Sequence, residues 1–199
     1  MPRLKVCGIT DAGFAACAAE RGVDYLGLIF AGNSPRRVTP GKAREIVGRA
    51  ASANPPHRPP RFVGVFTTQT IDEIAAIASS VRLDVIQLHG EYDDADVTAL
   101  KSRGCEVWRL FRGNPTCEDA VLLDGRCGNT SGLADWSLIA PLKAAGRRVV
   151  LAGRISSANI ADAIATGADI LDVSSSLETS PGIKSPALLD ELLLAITSG

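Results

Sequence analysis

Apolar residues along the chain gather into eight short runs: LKVC (4–7), YLGLIF (25–30), RFVGVF (61–66), VIQLH (85–89), EVWRLF (106–111), AVLLD (120–124), RVVLAG (148–153) and ILDVSS (170–175). Most are continuous in apolar character rather than alternating, as parallel strands buried on both faces are. Between them lie alanine-rich segments such as DAGFAACAAERG, IDEIAAIASS and SSANIADAIATG. Their apolar residues recur at three- and four-residue spacings and predict helices packed on the sheet. Strand then helix, eight times over, predicts the α/β class and a closed (β/α)8 TIM barrel. A doubly wound open sheet is built from the same local units.

A weak internal repeat accompanies this pattern. Gly22-Val23-Asp24 precedes the second run and Gly167-Ala168-Asp169 the eighth, each setting a glycine at a helix end and an aspartate at a strand entry. RGNPTCED (112–119) is too short for a proper helix, so one unit is expected to be incomplete. The proline-rich ASANPPHRPPR (51–61) fits an external loop. One domain over 1–199 is the expectation, because 199 residues with 46% hydrophobic content can enclose a sizeable core.

The charge balance, 21 basic against 22 acidic residues, provides no global field for nucleic acid or an anionic membrane, so any anionic ligand must be held locally. No apolar run approaches the roughly 18 residues of a membrane span, and MPRLKVCG lacks the apolar core of a secretory signal, so a cytoplasmic location is expected. The five cysteines (Cys7, Cys17, Cys105, Cys117, Cys127) are scattered without a CxxC pair and are expected as free thiols. With only His57 and His89, a His-rich metal centre or a serine–histidine–acid triad has little material, and no metal is expected.

In such a barrel the chemistry lies where strands end. Here Cys7, His89, Asp124, Gly153 and Ser174, Ser175 and Ser176 finish or follow runs one, four, six, seven and eight. Each has a bland reading: a buried small hydrophobe, a rim hydrogen bond, an Asp-Gly turn, a helix cap. Their coincidence on one face carries more weight than any of them alone. Loops after strands seven and eight commonly bind phosphate through backbone N–H groups, so LAGR (151–154) and VSSS (173–176) suggest a phosphorylated small molecule.

The motifs KVCGIT (5–10), SPRRVTP (34–40), VGVF (63–66), QLHG (87–90), LLD (122–124), DWS (135–137), LAG (151–153) and DVSSSLETSPGIK (172–184) resemble, in this order and spacing, the phosphoribosylanthranilate isomerase family of tryptophan biosynthesis. The resemblance implies a cofactor-free Amadori rearrangement of N-(5-phosphoribosyl)anthranilate. By motif it makes Cys7 the general base, Asp124 the general acid and Arg36 the holder of the anthranilate carboxylate. Gly153, Arg154 and Ser174–Ser176 become the phosphate site, with Lys5, His89 and Asp172 completing the lining. It also implies association with other enzymes of that pathway.

The chain departs from the family pattern in two loops. GNTSGLADW (128–136) replaces a GGTGKTFDW-like run, so that Ala134 stands for a bulky aromatic residue, and Arg154 occupies the second glycine of AGG. For Arg154 the expectation is an ordinary negative φ with the guanidinium reaching phosphate. Neighbouring Arg37 reads as a solvated charge. These departures leave two rival readings: an isomerase acting on another aminated sugar phosphate, and a non-catalytic barrel that binds a phosphometabolite.

Overall fold

The computed structural model describes residues 1–113, 117–125 and 134–198. Cys127, residues 114–116 of the short connection and residues 128–133 of the altered loop lie outside the described residues. Eight strands close into a parallel barrel in sequential order: β1 (Arg3–Cys7), β2 (Tyr25–Ile29), β3 (Arg61–Phe66), β4 (Val85–Leu88), β5 (Glu106–Leu110), β6 (Ala120–Leu123), β7 (Val149–Ala152) and β8 (Ile170–Val173). β8 pairs back onto β1, which excludes the open sheet.

Helices α1 (Ala12–Glu20), α2 (Pro40–Ala51), α3 (Ile71–Val81), α4 (Asp94–Ser102), α5 (Ile139–Ala144), α6 (Ile160–Ala165) and α7 (Pro186–Ser198) connect or follow the strands. Local chemistry sets their starts. Asp11 and Thr39 accept from the third residue onward, and Thr70–Glu73 and Asp93–Asp96 form reciprocal capping boxes. Among the described residues no helix links β5 to β6, as the short RGNPTCED segment predicts. A small antiparallel hairpin, β9 (Glu178–Ser180) with β10 (Ile183–Lys184), was not legible as a pair of strands in the sequence.

Strand residues divide by parity. One set, including Leu26, Leu28, Ile86 and Val121, joins the layer between barrel and helices; the other, including Tyr25, Val63, Val85, Trp108, Leu122 and Val150, fills the lumen. The lumen floor is polar. Arg3 and Arg148 both donate to the Tyr25 hydroxyl, at 2.8 and 2.7 Å, while Arg61, Arg148 and Trp108 converge on the Glu106 carboxylate. The opposite end is left for the site.

The aspartates of the weak repeat turn out to be half of a four-fold device. Asp24, Asp84, Asp119 and Asp169 each enter an even-numbered strand, and their Oδ2 atoms accept from Leu4, Phe62, Val107 and Val149 N–H at 2.7–2.9 Å. Each aspartate N–H donates back to the carbonyl of that same residue. This reciprocal clasp pins each odd strand to the next even one at the amino end, away from the site. Asp84→Ala is therefore expected to cost about 1–2 kcal/mol in urea unfolding, by orphaning the Phe62 N–H, with kcat unchanged.

Candidate active site

At the carboxyl ends of the strands a cavity of about 420 Å³ is lined by residues that include Cys7, Arg36, His89, Asp124, Gly153, Arg154, Asp172, Ser174 and Ser175. Most residues named from the sequence thus meet in one place. Lys5 and Ser176 are not among its lining: Lys5 is wholly buried beneath it, and the Ser176 hydroxyl donates to the Ile155 carbonyl at 2.6 Å, stapling the two phosphate-loop candidates together. Arg37 is exposed, as expected of a solvated charge.

Alternation along β1 turns Lys5 and Cys7 to the same side, and β8 sets Asp172 directly opposite Lys5. The Lys5 Nζ reaches Asp172 Oδ2 at 2.6 Å. Burial favours the neutral amine, but the adjacent Asp172 and Cys7 hold the Lys5 ammonium above its ordinary value. Burial likewise pushes the Cys7 thiol up, and Lys5 is the strongest influence drawing it down. The sulfur has room because β2 offers glycine opposite it: a Cβ on Gly27 would stand 2.8 Å from Sγ. Gly8 serves a second neighbour. Its φ is +78°, and a Cβ there would come within 2.5 Å of the Arg36 stem.

Arg36 reaches the cavity clamped from behind. Its Nε and one Nη donate to the two oxygens of Glu178 at 2.7 and 2.6 Å, and the buried Lys184 adds a 2.7 Å contact to the same carboxylate. Neither Glu178 nor Lys184 was singled out from the sequence; only the PGIK and DVSSSLE motifs pointed to their neighbourhood. Despite burial, the Arg36 and Lys184 hydrogen bonds lower the Glu178 carboxyl from 4.5 to about 2. A folded value below the unfolded one means that this stabilisation is complete above about pH 4.5 and lost as pH falls through about 2. The difference in unfolding free energy between wild type and Glu178→Gln is accordingly expected to be constant above pH 5 and to vanish towards pH 2, in urea titrations at stepped pH.

Asp124 follows β6, and its Oδ2 lies 3.9 Å from His89 Nδ1. His89 has a hydrogen-bond partner at the rim, as its bland reading expects: its Nε2 is 2.6 Å from Gln87 Nε2, and Gln87, His89 and Asp124 all line the cavity. Gln87, also missed from sequence, has the same strand parity as His89.

Around the loops after β7 and β8, the N–H groups of Gly153, Arg154, Ser174 and Ser175 donate to no acceptor among the described residues. The Ser174 hydroxyl donates to the Cys7 carbonyl at 3.0 Å, tying this loop to the end of β1. Arg154 corrects the expectation of negative φ: it stands at φ +51°, a conformation that favours glycine, its carbonyl held by Asn159 Nδ2 at 3.1 Å. Arg154 is exposed, is among the residues that line the cavity, and makes no ion pair among the described residues. Left-handed strain of about 1–2 kcal/mol set against about 0.4–1 kcal/mol of glycine entropy in the unfolded chain leaves a net gain of roughly 0.5–1 kcal/mol for Arg154→Gly. The same variant is expected to bind inorganic phosphate more weakly. Thermal unfolding with and without phosphate reads both effects.

The carboxyl rim of this closed parallel barrel gathers a thiol, carboxylates, an imidazole and arginines into one cavity, the place where enzymes of the (β/α)8 class carry their chemistry. The family is narrower. A model of N-(5'-phosphoribosyl)anthranilate (PRA) isomerase matches residues 4–194, and the chain belongs to this family.

An N-(5'-phosphoribosyl)anthranilate isomerase of Granulibacter bethesdensis is 35% identical, over 98% of this chain and 97% of that protein. The tryptophan biosynthesis protein TrpCF of Haemophilus influenzae is 38% identical over 90% of this chain, which spans only 39% of that longer relative. The crystal structure of the Thermus thermophilus phosphoribosyl anthranilate isomerase superposes with a TM-score of 0.85 at 34% identity, with 98% of each chain covered. A phosphoribosyl anthranilate isomerase solved in complex with reduced 1-(o-carboxyphenylamino)-1-deoxyribulose 5-phosphate gives 0.83 at 29% identity, with both chains wholly covered.

Proposed function

We propose that residues 1–199 act as one barrel domain that converts N-(5-phosphoribosyl)anthranilate to 1-(2-carboxyphenylamino)-1-deoxyribulose 5-phosphate. The observation that carries this reading is the meeting of Cys7, Asp124 and Arg36 in one cavity, beside the unengaged N–H groups of the β7 and β8 loops. Asp124 donates a proton to the furanose ring oxygen, and the C1–O bond opens to a protonated Schiff base. That cation acidifies the C2 proton, which Cys7 removes as thiolate, giving an enolamine that tautomerises to the ketone. Solvent returns the proton to Asp124 and takes the one on Cys7, so the sequence balances without metal or cofactor.

Arg36 spends one edge of its guanidinium on Glu178, leaving the Nη1/Nη2 edge for the anthranilate carboxylate in a second paired contact. Gly153, Arg154, Ser174 and Ser175 receive the phosphate, their N–H groups supplemented by the Arg154 charge, while Ser176, named with them from the sequence, braces the loop from outside the cavity. A cytoplasmic location belongs to the same reading, which fits the lack of any helix in the described residues long and apolar enough to cross a membrane. The occurrence of a matching segment within the longer TrpCF proteins supports association with other enzymes of tryptophan biosynthesis.

Incubating the purified chain with N-(5-phosphoribosyl)anthranilate and following the ketone product by NMR tests the proposal. Turnover supports it. Binding of a phosphorylated product analogue without turnover would reject it in favour of a binding barrel.

A further inference from the structure

Gln87 is 1% exposed, yet its Oε1 is buried without a hydrogen-bond partner while the side chain lines the cavity. A buried amide oxygen left unpaired costs about 1–3 kcal/mol, so it is an acceptor waiting for a donor from inside the cavity. Its other end is committed: the amide nitrogen lies 2.6 Å from His89 Nε2. With its nitrogen turned to the ring the amide can only donate, so Nε2 accepts and the neutral imidazole carries its proton on Nδ1; the reversed amide, with Oε1 towards Nε2–H, would carry the opposite tautomer. Nδ1 is the nitrogen that faces Asp124, at 3.9 Å.

We propose that Gln87 is a positioning residue for the isomerisation: through its amide N–H it locks His89 in the Nδ1–H tautomer, so that His89 meets the Asp124 carboxylate with a donor. Its Oε1 accepts a hydrogen bond from a sugar hydroxyl of the substrate. The inference rests on the isomerase reading above. In it, Asp124 becomes negative when it gives its proton to the ring oxygen, and the Nδ1–H then stabilises the carboxylate just formed. With the opposite tautomer a lone pair would face that new charge and oppose proton donation. Occupying Oε1 with substrate also holds the amide in the one orientation that keeps the tautomer.

The tautomer is observable without turnover. The chain has only two histidines, and His57 is exposed on a distant loop, so ¹⁵N spectra of labelled protein, with a His57→Ala variant for assignment, read His89 directly. The expected wild-type spectrum shows Nδ1 protonated and Nε2 as the acceptor. In Gln87→Glu a carboxylate that only accepts faces Nε2, so the spectrum is expected to switch to a protonated Nε2, with kcat falling about tenfold or more. Gln87→Leu is expected to release the tautomer preference, lower kcat and raise KM through loss of the hydroxyl contact. A wild-type His89 protonated at Nε2 would overturn the proposal even if the enzyme is fully active. So would a folded Gln87→Leu with unchanged kcat and KM. Failure of the isomerase reading shows separately, as absent turnover in the wild type whatever the spectrum.

Discussion

Cys7→Ser and Asp124→Asn are each expected to lower kcat by about 10²-fold or more while the barrel stays folded, because each removes one of the two groups proposed to move protons in the rearrangement. Serine replaces the sulfur with a smaller atom in the space that Gly27 already opens, so packing is preserved while the proposed base is lost: an alcohol ionises far less readily than a thiol. Asparagine keeps the shape of Asp124 and its neighbourhood with His89 but has no acidic proton. Burial pushes the Cys7 thiol above its ordinary value, so wild-type kcat/KM is expected to rise with pH beyond the usual thiol range, and Cys7→Ser should lose that limb. The measurements are steady-state kinetics from pH 6 to 10 and far-ultraviolet circular dichroism of each variant. Near-wild-type kcat in either folded variant would remove that residue from the mechanism.

Much of this molecule was legible in its sequence, and what was missed has physical reasons. Continuous apolar runs separated by alanine-rich segments encode a buried parallel sheet wrapped in helices, and the fold follows that pattern to within a residue or two at most strand ends. The rim residues Cys7, His89 and Asp124 could be named because strand ends are local features. Gln87 lies one alternation deeper, in a run that reads as almost uniformly apolar, so only parity with His89 would have pointed to it as lumen-facing; Lys5 was named through the family resemblance alone.

Glu178 and Arg36 are far apart in sequence and come together only through the turn of β9 and β10, a contact no local pattern announces. The Arg154 expectation failed for a different reason. Backbone conformation at a loop is set by what grips it, here Asn159 on its carbonyl, rather than by the preference of the residue itself. The four aspartate clasps show the converse: two were visible as repeated Gly-x-Asp entries, and the other two, at Asp84 and Asp119, carry the same bonds without that preceding glycine.

Lys5→Met is expected to be the most destabilising single change near the site. The Lys5–Asp172 pair is wholly within the barrel, with side chains 0% and 6% exposed, whereas the Lys42–Glu45 pair on α2 is 40% and 58% exposed. Removing one partner of the exposed pair should change stability by no more than about 0.5 kcal/mol. Removing Lys5 leaves Asp172, whose Oδ1 already lacks a partner, with neither oxygen paired in the interior, and the cost is expected to be about 3–5 kcal/mol in urea unfolding. Part of that loss is escaped by protonation of Asp172, which burial already pushes above the ordinary carboxylate range. Restoring balance by a second change tests the origin of the effect: Lys5→Met with Asp172→Leu should recover most of the stability, because an apolar pair of similar volume needs no desolvated charge. Activity should not return with it. Lys5 is the strongest influence holding the Cys7 thiol down, so in both variants the pH at which Cys7 is alkylated by iodoacetamide, followed at that residue by mass spectrometry, should move upward. A single variant as stable as wild type, or a double variant less stable than the single, would show that the pair is not held in place by its own charge balance.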